Sequence, residues 1–554
     1  AITTTDASAS AVAINVNAAG GGTGGAALRS ITTGNGATIT VATNSGGNST
    51  GGSITQTAAT LLNVGTGSVN LATPAPGASG IGTAGANILT TAGTVSAAAG
   101  SGGVFITETN GADFTATATG AGTIALTSTT GTLTVAGPTS TGSGAVTLAS
   151  GDAVTLNANV GGAGSGPITI NANTNGAGAE GFTMSPGGSI TTTNATATAA
   201  RINVNAAGGG TGGAAVGSVA VGSGGGITVA TDTGGNATGG SITQPAGGLL
   251  NAGTGPVTLT TPAASTSGIG TGVSPIQVAA GAVTASSGSG GVFISETDGA
   301  TFSVTAAGAG PVGLTSGGPF TIAGPITSGT GPVDLRGATV VQNSNVSTGG
   351  AGSVTVTATA GGITMADGTS TTAAGTGAIS YVAPGTVTLG LLSAPGGSVT
   401  VNSTGGSILD GNAAPLNIAA GGGATLTAGG VIGLLAAPVD VNVGGQINVN
   451  AAGTVFNPPG PAIGTSINMA GSDVDDTLHF PTTVTGQIFW NGVKLWPPAP
   501  PPVPGGGAAA TISAVDAVLQ QAVPACRQPL AASGVAVNPG NALCTAAPAA
   551  SEAE

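Results

Sequence analysis

The residues that could carry chemistry are few and far apart. In 554 residues there are 18 Asp and Glu, 5 Lys and Arg, one His and two Cys. The most conspicuous acids, Glu108 and Glu296, sit in matching hexapeptides, Val104-Phe105-Ile106-Thr107-Glu108-Thr109 and Val292-Phe293-Ile294-Ser295-Glu296-Thr297. Glycoside cleavage needs two carboxyl groups within roughly 5–10 Å of each other. As equivalents in a long repeat, these two are expected about nine coils apart, on the order of 40 Å. They read as solvated surface acids. Asp473, Asp475 and Asp476 lie beside the only histidine, His479, and offer the oxygen donors that Ca²⁺ takes. Their spacing is neither an EF-hand loop nor a GGxGxD repeat, so a structural turn is expected and they are weak metal candidates. The run Gly20–Gly25 lacks the GK[ST] of a phosphate-binding loop. A Ser-His-Asp triad would have to recruit His479. The expectation is no catalytic site, no cofactor and no enzyme.

Composition points the same way. Only 4% of residues are charged, the net charge is −13, and 107 residues are Gly. Ordinary globular domains carry about a quarter charged residues. Nucleic-acid binding needs clustered Lys or Arg to neutralise phosphates, which this chain lacks. Gly does not recur at every third position, as collagen requires. Disordered chains combine low hydrophobicity with high charge, whereas this one is 40% apolar. No apolar run approaches the length of a transmembrane helix. The chain begins at Ala1 without a basic region or an apolar signal core, so a signal segment is expected to have been removed or never present.

What must position any site is a repeat. Ile14 to Ala27 reads INVNAAGGGTGGAA, and Ile202 to Ala215 reads the same. The hexapeptides above share that offset, as do Ile2-Thr3-Thr4-Thr5 and Ile190-Thr191-Thr192-Thr193. The copies cover 1–187 and 188–370, with a divergent continuation over 371–470. Within them, the apolar pairs Ile124/Leu126, Val146/Leu148 and Ile168/Ile170 recur at a constant step. Leu133/Val135 returns as Val154/Leu156 at a step only one position shorter. Each pair has the i, i+2 alternation of a strand with one buried face. Gly-rich turns separate them. Gly and β-branched residues at this density disfavour helix. The regular spacing predicts stacked coils: an all-β, elongated parallel β-helix or β-solenoid, right-handed, of 20–22 coils, with nine coils per copy. Phe105, Phe293, Phe114 and Phe302 recur in both copies and are expected as core or turn packing rather than as ligand platforms.

The phrases GSITTTNATATAARINVNAAGG and GSILDGNAAPLNIAAGGGATLTAGGVIGLLAAPVDVNVGGQINV resemble the passenger repeats of filamentous-haemagglutinin-like exoproteins, the β-helical adhesins of two-partner secretion. That resemblance implies export through an outer-membrane transporter and display at a Gram-negative cell surface. The family's N-terminal secretion domain, with its NPNG-type motifs, is not visible in this sequence, and the expectation is that it was cleaved off or that another route to the surface is used.

The sequence changes character near its C-terminal end. GQIFWNGVKLW within 471–499 has the alternation and Asn-Gly of a β-hairpin. Its Phe489, Trp490 and Trp496 suit a cap over the last coil. Residues 500–510 read as a Pro/Gly linker. Residues 511–554 read as a short amphipathic helix followed by a tail holding Cys526 and Cys544. In an exported chain such a pair is most simply a disulfide closing a loop, with free thiols and intermolecular bridges still open. The resemblance implies a further role as a transporter anchor.

Three functions follow as expectations. The first is a non-catalytic extracellular structural fibre protein acting in adhesion, cell–cell attachment or biofilm matrix. The second is a filament subunit that stacks head to tail, since Ala1 and Ile2 begin within the repeat without a cap. The third is a β-helix protein that binds or cleaves polysaccharide. The expected partners are further copies of the chain, an outer-membrane transporter, and a host or polysaccharide ligand.

Overall fold

The computed structural model describes residues 1–451, apart from 44–48, 162–163, 234–236, 414–415, 435–436 and 438. It also gives the backbone of strands Ile467–Gly471, Ile488–Trp490 and Val493–Trp496. Among the described residues every element is a strand, and the ladders between successive turns are parallel. The fold is a parallel β-solenoid of about 18 turns. The chain divides into two compact units, Ala1–Leu314 and Thr315–Glu554, so the division falls inside the second copy of the repeat.

The strands form because apolar β-branched residues alternate with Thr, Ser and Asn, and alternation places one set on each face. Ile168–Ala172 is typical: Ile168, Ile170 and Ala172 are buried, and Thr169 and Asn171 face outward. Burying one Val, Ile or Leu side chain is worth about 1.5–3 kcal/mol, and each turn contributes several. In the first unit the constant step between apolar pairs is a ladder register, with Ile124 opposite Val146 and Val146 opposite Ile168. Leu133 and Val135 pair with Val154 and Leu156 in the other sheet.

That step does not hold throughout, which is why there are fewer turns than the 20–22 expected. A short turn leads from Ile88 to its partner Ile106, whereas the turn that starts at Ile168 runs on to Ala200. The long turn carries two short strands, Phe182–Met184 and Ser189–Thr191, where shorter turns carry one.

The copies are also out of phase. Each turn visits both sheets and so crosses between them twice. From Val12–Asn15 to its equivalent Ala200–Val204 the chain crosses fifteen times. The repeat therefore spans seven and a half turns, not nine. Within the first unit, ladders of the first copy reappear in the opposite sheet. Ile88 pairs with Ile106 in one sheet, whereas Ile276 pairs with Ile294 in the other. Val95 and Phe114 pair in the second sheet; their equivalents Val283 and Phe302 pair in the first.

The second unit is built the same way. Strands Val333–Gly337, Val354–Ala358, Ile379–Ala383, Val399–Ser403, Ala424–Ala428 and Ile447–Ala451 stack in parallel register. Tyr381 is fully buried and bridges the two sheets across the core. Its hydroxyl donates to Gln342 Oε1 at 2.7 Å and lies 2.7 Å from Thr371 Oγ1. Beyond Ile447–Ala451, strand Ile467–Gly471 continues the stack. Ile488–Trp490 pairs with it in parallel and with Val493–Trp496 antiparallel.

Glycine is needed at the corners because successive backbones meet there. A Cβ at Gly122 would stand 2.8 Å from the Gly100 carbonyl oxygen. At Gly144 it would strike the Gly122 carbonyl, and at Gly166 the Gly144 carbonyl. The requirement is space, not left-handed backbone. Gly377 and Gly397 stand against the carbonyls of Gly352 and Gly377 in the same way.

Replacing Gly144 by Ala should therefore cost on the order of 1–3 kcal/mol, the usual penalty for overpacking. Gly85→Ala should be close to neutral, since a Cβ there meets nothing within 4 Å. Thermal unfolding of the two variants checks this, and equal melting temperatures would contradict the steric account.

Candidate functional site

Glu108 and Glu296 are interior groups, which corrects the expectation that they are solvated surface acids. Both are buried, and they lie seven and a half turns apart on different sheets. The reason is alternation: Val104, Ile106 and Glu108 share the inward face of one strand. The Glu108 carboxylate closes the corner that follows. Oε2 accepts from the Thr90 hydroxyl at 2.6 Å and the Ala92 N–H at 3.2 Å, and Oε1 accepts from the Asn110 N–H at 3.0 Å. Glu296 does the same job, accepting from the N–H groups of Asp298 at 3.0 Å and Gly299 at 2.6 Å. One and two turns further on, the inward position of Glu108 is taken by Ser128 and Ser150. Those serines donate to backbone carbonyls of the corner. The column is a set of corner clasps, and the two glutamates are too far apart to act as a pair.

The same alternation turns Phe105 and Phe293 outward. Phe114, Phe182, Phe302 and Phe320 are buried in the core, as expected for Phe114 and Phe302. Phe105 and Phe293 instead stand half-buried on the outer faces, one on each sheet. Their surroundings are stripped of bulk. A Cβ at Gly103 would lie 3.2 Å from the Phe105 ring, and one at Gly313 would lie 2.9 Å from the Phe293 ring. Gly272, in the tight turn closed by Thr271 and Ser274, lies at van der Waals range of Phe293.

The outer faces are otherwise ladders of hydroxyls and amides. Phe105, Ala125, Thr147, Thr169 and Arg201 are successive neighbours on the first sheet, followed by Thr228, Thr258 and Thr284. Thr134, Thr155 and Thr183 line up on the second. In the second unit Thr355, Ser380, Thr400 and Thr425 form a similar row. Side chains in such rows repeat at the inter-strand spacing, about 4.8 Å. Apart from Arg201 they offer neutral donors and acceptors, and none is a nucleophile paired with a base.

The second unit brings two carboxylates near each other, Asp410 and Asp440, and Asn417 ties them. Its buried amide donates to Asp410 Oδ1 at 2.8 Å, and its Oδ1 accepts from the Asp440 N–H at 2.9 Å. Burial, and then the charge of Asp410, push the Asp440 carboxyl up. No group of three or more His, Cys, Asp or Glu suited to a metal ion occurs among the described residues. Asp473, Asp475, Asp476, His479, Cys526 and Cys544 lie outside the described residues, as do 500–510 and the expected helix. Of Phe489, Trp490 and Trp496 only the strand backbone is described. Ile2 is 45% exposed in the first turn, whereas its equivalent Ile190 is 1% exposed between two paired turns. No described helix is long and apolar enough to cross a membrane.

Fold and surface together define a repeat β-solenoid whose outer faces are hydroxyl-rich and sparsely charged. Comparison with family models, with curated proteins and with solved structures finds no match.

A buried Glu108 is expected to make the stability of the fold depend on pH. Burial pushes its carboxyl above the ordinary carboxylate range, partly offset by the hydrogen bonds from Thr90, Asn110, Thr109 and Ala92. A raised folded-state pKa gives stability that is full below the unfolded value, about 4.3, and is lost as pH rises through the folded value. Glu108→Gln keeps an acceptor and cannot ionise. Its melting temperature should gain on that of the natural chain as pH rises above about 4. A difference independent of pH would contradict an interior ionisable Glu108.

Proposed function

We propose that this chain is a non-catalytic extracellular structural protein of the adhesive-fibre kind, displayed at or released from a bacterial cell surface. It would act in attachment or matrix formation. The observation that carries this reading is the outer surface: row after row of Thr, Ser and Asn in fixed register, with little charge. Such a surface can make many weak, repeated contacts at once, and multivalent contact turns weak affinities into firm attachment. Glu108 and Glu296, the acids that first suggested catalysis, are used to close corners. The resemblance of GSITTTNATATAARINVNAAGG to filamentous-haemagglutinin-like repeats supports the same reading, and with it export from a Gram-negative cell.

Coating inert beads with the purified chain tests this. Coated beads should adhere to bacterial or host cells, or clump with one another, in proportion to coating density, with no change in any polysaccharide offered. Beads that stay dispersed and non-adherent at every density would overturn the adhesive reading. Release of reducing sugar by the chain would overturn the non-catalytic one.

A further inference from the structure

The half-turn phase of the duplication places equivalent outer positions on opposite sheets, and one of those positions has been kept aromatic. Between the two copies, the outward residues that flank this position laterally and several nearby differ, whereas Thr109 and Thr127 are kept as Thr297 and Thr315. Leu89 becomes Gln277, Asn87 becomes Pro275, Gly85 becomes Val273, Ala125 becomes Gly313 and Asp113 becomes Thr301. Phe105 is still Phe at 293. No core demand explains that, because both rings point away from the core, and every other described Phe is inside it. An outward aromatic on a strand otherwise bearing Thr or Ser exposes apolar surface. Its retention on both faces, while its lateral neighbours drift, indicates that the ring itself is used.

We propose that Phe105 and Phe293 are two equivalent stacking positions for neutral polysaccharide, making the first unit a bivalent, two-sided binder. Glu108 and Glu296 set the reading frame of each strand, so that fixing the corner also fixes the ring outward. The ligand class follows from the surroundings. An aromatic ring offers an apolar face to the C–H face of a pyranose. Around Phe105, Thr107 and Asn87, joined at 2.9 Å, and Thr127 supply hydroxyl and amide groups for sugar hydroxyls. Around Phe293, Ser295 replaces Thr107, and its lateral partner Gln277, which stands where the first copy has Leu89, supplies the amide. None of these residues is charged, so nothing in this set selects an ionic partner. The two positions are seven and a half turns apart, which is roughly 35 Å along the stack at about 4.8 Å per turn. They lie on different sheets, so one strand of polysaccharide cannot easily reach both. Two strands can be held, one on each side, which is cross-linking. This inference names a ligand and a geometry for the adhesive reading above and rests on it.

The test uses the full chain and three variants, Phe105→Thr, Phe293→Thr and both together, with thermal unfolding to confirm that each is folded. Threonine already stands outward on both sheets, as Thr147 and Thr155 do. Cellulose, chitin and dextran beads serve as probes, in a binding assay and in an agglutination assay. The natural chain should bind and agglutinate at least one bead type. Each single variant should still bind, with avidity reduced by roughly 10²-fold or more as bivalency is lost, and should no longer agglutinate. The double variant should do neither. A double variant that binds and agglutinates like the natural chain overturns the proposal, as does a natural chain that binds none of the three. If the rings only shield neighbouring glycines, the variants melt lower and bind unchanged, which also overturns it. In those cases the adhesion of coated beads to cells decides the broader reading separately: adhesion undiminished in the double variant leaves it standing, and no adhesion by the natural chain removes both.

Discussion

Everything in this fold depends on the in-register parallel ladder between one turn and the next. Backbone N–H and C=O groups must be paired when buried, and along the strands of a solenoid the partner is the adjacent turn. That fixes a separation of about 4.8 Å and leaves no room for a Cβ where the corners stack. The columns through Gly100, Gly122, Gly144 and Gly166, and through Gly352, Gly377 and Gly397, are the direct consequence. Interior polarity gathers at the same kind of corner, where Glu108, Ser128 and Ser150 satisfy backbone groups that the ladder leaves over. The flat strands between corners are then free to carry any outward residue that tolerates a pleated surface.

The ladder also explains how a sequence repeat can fail to be a structural translation. Each turn needs its neighbours in register but does not need a fixed length, so insertions are absorbed at corners. The short turn from Ile88 to Ile106 and the long one from Ile168 to Ala200 coexist in the first unit. The duplicated block can therefore hold a half-integral number of turns, provided both sheets accept the same residues. They do, because each is an alternation of apolar and hydroxyl side chains facing a shared core. Ile88 with Ile106, and Ile276 with Ile294, make the same contact in opposite sheets. The duplicated surface is thereby shown on two sides.

Much of this is legible in the sequence. The pairs Ile124/Leu126, Val146/Leu148 and Ile168/Ile170 carry both strand and register, and the parallel solenoid follows from their spacing. Extending that regular stretch to the irregular ones overcounts the turns, because the extra strands there leave a weaker periodic trace. Residue type alone sends Phe105 to the core and Glu108 to the surface. The alternation Val104, Ile106, Glu108 already contains the opposite answer. Period 2 outranks hydrophobicity when the strand is this short and the corner needs an acceptor. The phase of the repeat is not legible, since it depends on counting every crossing between sheets.

Equivalent segments of the two copies lie on opposite sheets, and engineered cross-links in the full chain test this most directly. In a Cys526→Ser, Cys544→Ser background, Thr169→Cys with Arg201→Cys should close a disulfide, because those residues are lateral partners on one sheet. The spacing of adjacent strands lies within the Cα separation a disulfide spans, about 4.4–6.8 Å. Thr183→Cys with Arg201→Cys should stay reduced, because Thr183 lies on the other sheet, paired with Thr155. Closure of the second pair in place of the first would mean a whole number of turns per repeat, and would contradict the account.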